Sequence, residues 1–266
     1  NYSFPDDDSI YLDNARSTIV RLRNHASLLM WCGGNELNPD GVNPKPTIRR
    51  GLENLLQTLD PTRFFITSSM APQDPTGETW DPNFSFANTD GPYALLLPED
   101  FYRSRNPGSD GYQDAPMSIN PELGSVATPE VETMRMFLSE DALSPKSLPD
   151  RNSMVVHPLW DYHLYEGYTT SLATEGTAVG PRGIDHIYDL FGGSAPANIE
   201  KYCWRAGIVQ YQQYKALFEG FSAHAWEWYA GVRFWKSQSP WPALRGGLYD
   251  YYLRQTGGFW GVHAAL

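Results

Sequence analysis

The chain has 266 residues, of which 41% are hydrophobic and 19% charged, and its net charge is −11. This is the composition of a folded chain large enough for a sizeable core, and not of a disordered one. The acidity argues against a nucleic-acid partner, because phosphate binding needs clustered Lys and Arg. No apolar run approaches the roughly 18 residues of a membrane span.

In chain order, NYSFPDDDS is acidic and polar and has the character of neither a signal peptide nor a basic transit segment. Residues 9–25 put apolar side chains at 12, 15, 19 and 22, which predicts a helix with Asp8 or Ser9 as its N-cap. SLLMW, residues 27–31, reads as a buried strand that Cys32 continues. TIRRGLENLLQTLD places Ile48, Leu52, Leu55, Leu56 and Leu59 on one helical face, stopped by Asp60-Pro61. RFFITSS is a second strand. Helices alternating with short continuous apolar strands predict a parallel α/β sheet.

Residues 70–116 are rich in Pro, Gly, Asp and Asn and read as a long loop, with a short strand near 93–96. APMSIN is a strand, followed by PELGS and a helix in TPEVETMRMFL. Residues 139–198 look like an insertion of short helices and aromatic loops. A long helix follows, with Ile199, Cys203, Ala206, Val209, Gln213, Leu217 and Phe221 along one face. AGVRFW is the last strand and opens into an aromatic, glycine-rich segment.

Cys32 and Cys203 read as two buried free thiols. The six His show no HExxH and no zinc-type spacing with Cys, so no metal and no cofactor are expected. Aromatics reach 14%. Flat aromatic faces stack on the C–H faces of sugar rings, but they also fill cores.

Two carboxylates stand out. In MWCGGNELN, an apolar strand delivers Asn35 and Glu36 after two glycines that let the backbone turn freely. Alone, Glu36 reads first as a helix-capping residue on a loop. Glu122, in SINPELGS, again closes a predicted strand beside a glycine, and alone it reads as the start of a helix. Two strand-end carboxylates on one parallel sheet are what glycoside cleavage requires.

Three blocks, LRNHASLLMWCGGNE, NPELGSVATPE and FWKSQSPWPALRGGLYDYYLRQTGGFWG, resemble the catalytic barrel of glycoside hydrolase family 2. The last is most similar to the plant endo-β-mannosidases of that family, with exo-β-glucosaminidases next. The resemblance covers most of the chain and is weakest over 139–198. It implies a (β/α)8 TIM barrel and a retaining mechanism. It makes Glu36, at the end of barrel strand four, the general acid/base and Glu122, at the end of strand seven, the nucleophile. Asn35 would bind the sugar 2-hydroxyl, and Trp235, ending strand eight, would form the floor under the sugar.

Spacing gives a separate check. Glu36 and Glu122 are 86 residues apart, and three βα units occupy about 90. The 113 residues from Glu122 to Trp235 hold far more than one unit, and the 139–198 insertion accounts for most of the excess.

On this reading residues 1–266 are a partial catalytic domain, about strands four to eight of the barrel. The expectation is one chain of a processed enzyme, in which a partner chain supplies strands one to three and closes the open edge. Further candidate sugar contacts are Tyr93, Trp160, Asp161, His163, Lys236, Gln238 and Trp241. Tyr93, Trp160, Asp161 and His163 read also as ordinary core or loop residues. Arg245 and Asp250 read as a structural ion pair or loop anchors. Asn1 and Asn83 begin N-glycosylation sequons, which with the acidity favour a vacuolar or secreted location.

The expected substrate is an N-glycan or glycopeptide, cut at its Manβ1-4GlcNAc bond. The alternatives are an exo-β-glucosaminidase or exo-β-mannosidase and, in another class, a non-catalytic carbohydrate-binding scaffold.

Overall fold

The structure is a computed structural model that describes residues 5–34, 45–66, 118–124, 127–153, 155–165, 183–227, 229–245 and 247–266, with only the backbone given at 118–123 and 229. The strand expected at 93–96 lies outside the described residues. The chain divides into two compact units, residues 1–89 and 90–266.

In the first unit, α1 spans Asp8–Leu22. Its N-cap is Asp7, one residue before the expected positions. The Asp7 carboxylate accepts from the N–H groups of Ser9 and Ile10 at 2.8 and 3.1 Å, satisfying two donors that the helix start leaves free. Strand β1, Met30–Cys32, is followed by α2, Pro46–Leu59, which begins with proline at its first position. The predicted apolar face of α2 is buried at Ile48, Leu52, Leu55 and Leu56. Strand β2, Phe64–Ile66, pairs parallel with β1, Met30 opposite Phe64 and Cys32 opposite Ile66. This is a βαβ unit, as the alternation predicts. The ladder runs past Cys32, since Gly33 N–H donates to Ile66 O at 2.9 Å.

Cys32 is exposed, contrary to the expectation of a buried thiol, and its Sγ lies 3.0 Å from Gly34 O. Only Cys203 is a buried thiol, and burial pushes its pKa up to about 12. Both are free.

A buried carboxylate ties the strands of this unit together. Asp60 is 5% exposed. It accepts from Trp31 Nε1 at 2.8 Å and from Arg63 at 2.8 and 2.9 Å. Arg63 also donates to the carbonyls of Leu28 and His25, so the turn before β2 holds the residues entering β1. Burial pushes the Asp60 carboxyl up, but the Trp31 and Arg63 hydrogen bonds and the Arg63 charge outweigh it and leave the carboxyl below its ordinary value. A folded-state pKa below the unfolded one gives stability that is full above the unfolded value. That stability is lost as pH falls through the folded value. Asp60→Ala is expected to cost about 3 kcal/mol at neutral pH by urea denaturation. The variant is also expected to lose less stability than the wild type on acidification below about pH 4.

In the second unit, β3, Ser118–Leu123, and β4, Tyr229–Phe234, pair parallel. Between them come α3, Val131–Phe137; α4, Glu140–Leu143; α5, Pro158–Tyr162; α6, Gly183–Asp189; and the long α7, Ile199–Ala223. All seven α7 face residues predicted from the spacing are buried. After β4 comes α8, Gly257–Ala265, a helix that the sequence pattern did not predict.

The described parts of 139–198 are well packed. Ala142, Leu143, Trp160, Tyr165, Ile184 and Ile187 join Met134, Tyr202 and Ala206 in one buried cluster. A second cluster joins Tyr214, Leu217, Phe218 and Phe221 of α7 to Leu248 and Val262, with Val232 and Phe234 of β4 packed against it.

Candidate active site at the strand ends

In a parallel α/β sheet, functional groups gather at the C-terminal ends of the strands. The β3/β4 pair has one such end. Asn120 lies opposite Val232 and Leu123 opposite Phe234. Three steps along β3 therefore match two along β4, and the extra residue falls at Pro121–Glu122. Proline has no N–H to give the ladder, so it sits naturally at such a bulge. Bulges re-aim the chain next to sites. The backbone thus places Glu122 in the bulge that ends β3, with Trp235 directly after Phe234 at the same end of the adjacent strand.

Trp235 is half-buried. Lys236 Nζ lies over its ring at 4.5 Å from the centroid and Arg245 Cζ at 5.1 Å. Burial, and then the Arg245 charge, push the Lys236 pKa below its ordinary value. The peptide between Trp235 and Lys236 is cis.

The segment carrying these cations is tightly pinned. Leu248 N–H donates to Lys236 O at 3.2 Å and Tyr249 N–H to Ser237 O at 2.9 Å. Gln238 donates to Tyr251 O. Asp250 is a loop anchor: one oxygen accepts from the N–H groups of Tyr252 and Arg254, the other from Thr133 Oγ1 at 2.6 Å. Thr256 Oγ1 donates to the carbonyls of Gly247 and Leu248. Arg245, expected as an ion-pair partner or anchor, stands with its guanidinium against the Trp235 ring. The sequence carries no signal for that pairing, because nine residues of irregular chain separate the two.

Two expected sugar contacts are corrected. Trp160 is fully buried, donates Nε1–H to Ala142 O at 2.9 Å, and meets Tyr165 and Tyr202 edge-on. A ring with no exposed face stacks on no sugar. His163 is 7% exposed. Its Nδ1–H donates to Pro242 O, and its own carbonyl accepts from Leu244 N–H at 2.7 Å. It is a clamp on the segment after β4. Trp241, half-buried, stacks on the His163 ring with centroids 5.5 Å apart. Asp161 is exposed at the end of α5.

Asn35, Glu36, Tyr93, Asn1 and Asn83 lie outside the described residues. Among the described residues, no group of three His, Cys, Asp or Glu is placed to hold a metal ion, and no helix is long and apolar enough to cross a membrane. A groove of about 550 Å³ lies between α3, α7 and α8, lined by Glu132, Cys203, Trp204, Tyr211 and Trp260 among others. It is walled by helices, and neither Trp235 nor Lys236 lines it.

The fold is that of an α/β glycosidase domain. It matches the crystal structure of an exo-chitosanase from Amycolatopsis orientalis with a TM-score of 0.65 at 22% identity, over 98% of this chain and 28% of that one. The chain's relatives are glycoside hydrolases. It is similar along 100% of its length to the mannosylglycoprotein endo-beta-mannosidase of Lilium longiflorum, 34% identical over 289 residues. The exo-beta-D-glucosaminidase of Hypocrea jecorina is 28% identical over 180 residues, 65% of this chain. These are the kinds of protein that the three sequence blocks resemble. No family model matches the chain. The chain spans 28% of the lily protein and 18% of the Hypocrea protein.

Proposed function

We propose that this chain is the catalytic part of a retaining β-glycosidase that hydrolyses the Manβ1-4GlcNAc bond of N-glycan cores. The observation that carries the reading is Glu122 in the bulge at the C-terminal end of β3, beside the strand that delivers Trp235. The likeness to an endo-β-mannosidase along the whole chain supports the substrate.

Glu122 attacks the anomeric carbon from one face while Glu36 protonates the leaving oxygen. A covalent glycosyl ester forms on Glu122. Glu36 then takes a proton from water, which releases the sugar with its configuration retained. Asn35 hydrogen-bonds the 2-hydroxyl, Trp235 is the floor under the sugar, and Tyr93 supports the nucleophile. Lys236, Asp161 and Trp241 contact more distant hydroxyls.

The described strands are the later part of a (β/α)8 barrel, and a partner chain of a processed enzyme supplies the rest. The sequons and the acidity suit a vacuolar or secreted enzyme.

The test is incubation of the full-length protein with a defined N-glycan core, followed by mass spectrometry and NMR. Internal release at the β-mannosidic bond with a β product anomer supports the reading, whereas an α product overturns the retaining mechanism. Stepwise loss of single terminal sugars instead supports the exo reading that the glucosaminidase relative suggests. Trp235→Ala is expected to raise KM about tenfold, the loss of one stacked ring, read by initial rates against substrate concentration.

A further inference from the structure

The groove between α3, α7 and α8 takes no part in the proposed reaction. At about 550 Å³ it falls within the roughly 300–1,000 Å³ typical of small-molecule sites.

Two indoles line it, Trp204 of α7 and Trp260 of α8. They are 52% and 51% exposed, so each keeps ring surface open to a ligand. Both rings are supported by neighbours. Phe191 lies 5.4 Å from Trp204, centroid to centroid, and Phe259 meets Trp260 edge-on at 5.1 Å. Gly207 also lines the groove, and a Cβ there would meet nothing within 4 Å. The α7 backbone thus leaves open space where a side chain would stand.

The rest of the lining is polar. Glu130 and Glu132, both exposed, come from the start of α3, and Glu200 from the start of α7. Thr128 lines the same groove and is 2% exposed, yet its Oγ1 has no hydrogen-bond partner among the described residues. A buried hydroxyl without a partner costs about 1–3 kcal/mol, which a ligand hydroxyl, or a water held beneath one, removes.

The charges favour a neutral ligand. Lys201 Nζ already stands over the Trp204 ring at 4.5 Å from its centroid, and Arg135 pairs with Glu200. An incoming Lys or Arg side chain would meet a like charge at that indole. An apolar protein surface would have to bury the carboxylates of Glu130 and Glu132 without partners. A sugar answers both demands: its C–H faces rest on the indoles, and its hydroxyls donate to the carboxylates.

We propose that this groove is a carbohydrate-binding site separate from the strand ends, holding a short neutral oligosaccharide against Trp204 and Trp260. It goes beyond the reaction proposed at the strand ends and does not rest on it.

The test uses full-length wild type, Trp204→Ala, Trp260→Ala, Gly207→Gln and Trp235→Ala. The probes are two neutral trisaccharides, α-linked mannotriose and triacetylchitotriose, with trilysine as the cationic control. Binding is read by isothermal titration calorimetry. Gly207→Gln fills the groove without removing a contact, so it reads the site even where a Trp variant fails to fold. Each groove variant is expected to weaken binding of at least one trisaccharide about tenfold, the loss of one stacked ring. Trp235→Ala is expected to leave that binding in place. Trisaccharide affinity unmoved in the folded groove variants overturns the site, and so does wild type binding neither trisaccharide. Trilysine held more tightly than either trisaccharide, and weakened by the groove variants, overturns the sugar in favour of a cationic peptide. Trisaccharide binding lost in the groove variants of a protein that cleaves no β-mannosidic bond overturns the proposed function and leaves this site standing.

Discussion

Glu122→Gln in the full-length protein is expected to lower kcat on an N-glycan core about 10³-fold or more, with little change in KM. The amide keeps the size of the carboxyl group and its place in the β3 bulge, but it cannot form the glycosyl ester. The loss therefore falls on the transition state and not on binding. Glu36→Gln is expected to behave differently. A general acid contributes typically 10²–10⁴-fold, and mainly where the leaving oxygen is a poor one. The sugar leaving group of the natural core needs protonation, whereas 4-nitrophenolate does not. The Glu36→Gln variant should thus lose about 10³-fold on the core while losing far less in the first step on the aryl glycoside, so that the glycosyl-enzyme accumulates.

The pH profile separates the two roles again. Catalysis rises as the nucleophile ionises and falls as the acid loses its proton, giving a bell. Removing Glu36 removes the alkaline limb. Steady-state kinetics, a burst measurement and a pH series check all of this. Full activity in both folded variants sinks the catalytic reading and leaves the carbohydrate-binding scaffold.

What the sequence made legible follows from how each element signals itself. The strands announce themselves as short apolar runs, and the structure has β1, β2, β3 and β4 within a few residues of them. The α7 face is a 25-residue periodic pattern, long enough to leave no alternative. The bulge at Pro121–Glu122 was not legible, because it exists only in the register between β3 and a strand more than a hundred residues away. For Trp160 and His163 the sequence leaves sugar contact and packing both open, because exposed and buried aromatics look alike in a loop sequence. Burial there is set by Tyr165 and Tyr202 for one and by the Pro242 carbonyl for the other. Arg245 over Trp235 belongs to the same class, a contact made by irregular chain folding back on itself. Asn35 and Glu36, the pair on which the resemblance turns, lie beyond the described end of β1.

Helix α8 was invisible for a different reason, and it gives the sharpest stability prediction. QTGGFWGVH has neither apolar periodicity nor good helix formers, and three glycines argue against a helix. The glycines are there for packing. A Cβ at Gly257 would stand 2.1 Å from Gly207 O, and one at Gly261 would stand 2.3 Å from Tyr211 O. Both obstacles are α7 backbone, which cannot rotate aside, so α8 must lift off α7 to admit a methyl group. Lifting opens the cluster of Tyr214, Leu217, Phe218 and Val262.

Gly257→Ala and Gly261→Ala are each expected to cost about 3 kcal/mol or more, lowering Tm by roughly 6–12 °C. Gly207 faces them from α7, yet a Cβ there meets nothing within 4 Å. Gly207→Ala is expected to stabilise by about 0.5–1 kcal/mol through helix propensity alone. Calorimetry on the three variants reads opposite signs across one helix contact. Destabilisation by all three would show that the α7–α8 approach is not the one described. Thr256, at the start of α8, holds the carbonyls of Gly247 and Leu248. Lifting the helix should therefore also loosen the segment that keeps Lys236 and Arg245 over Trp235.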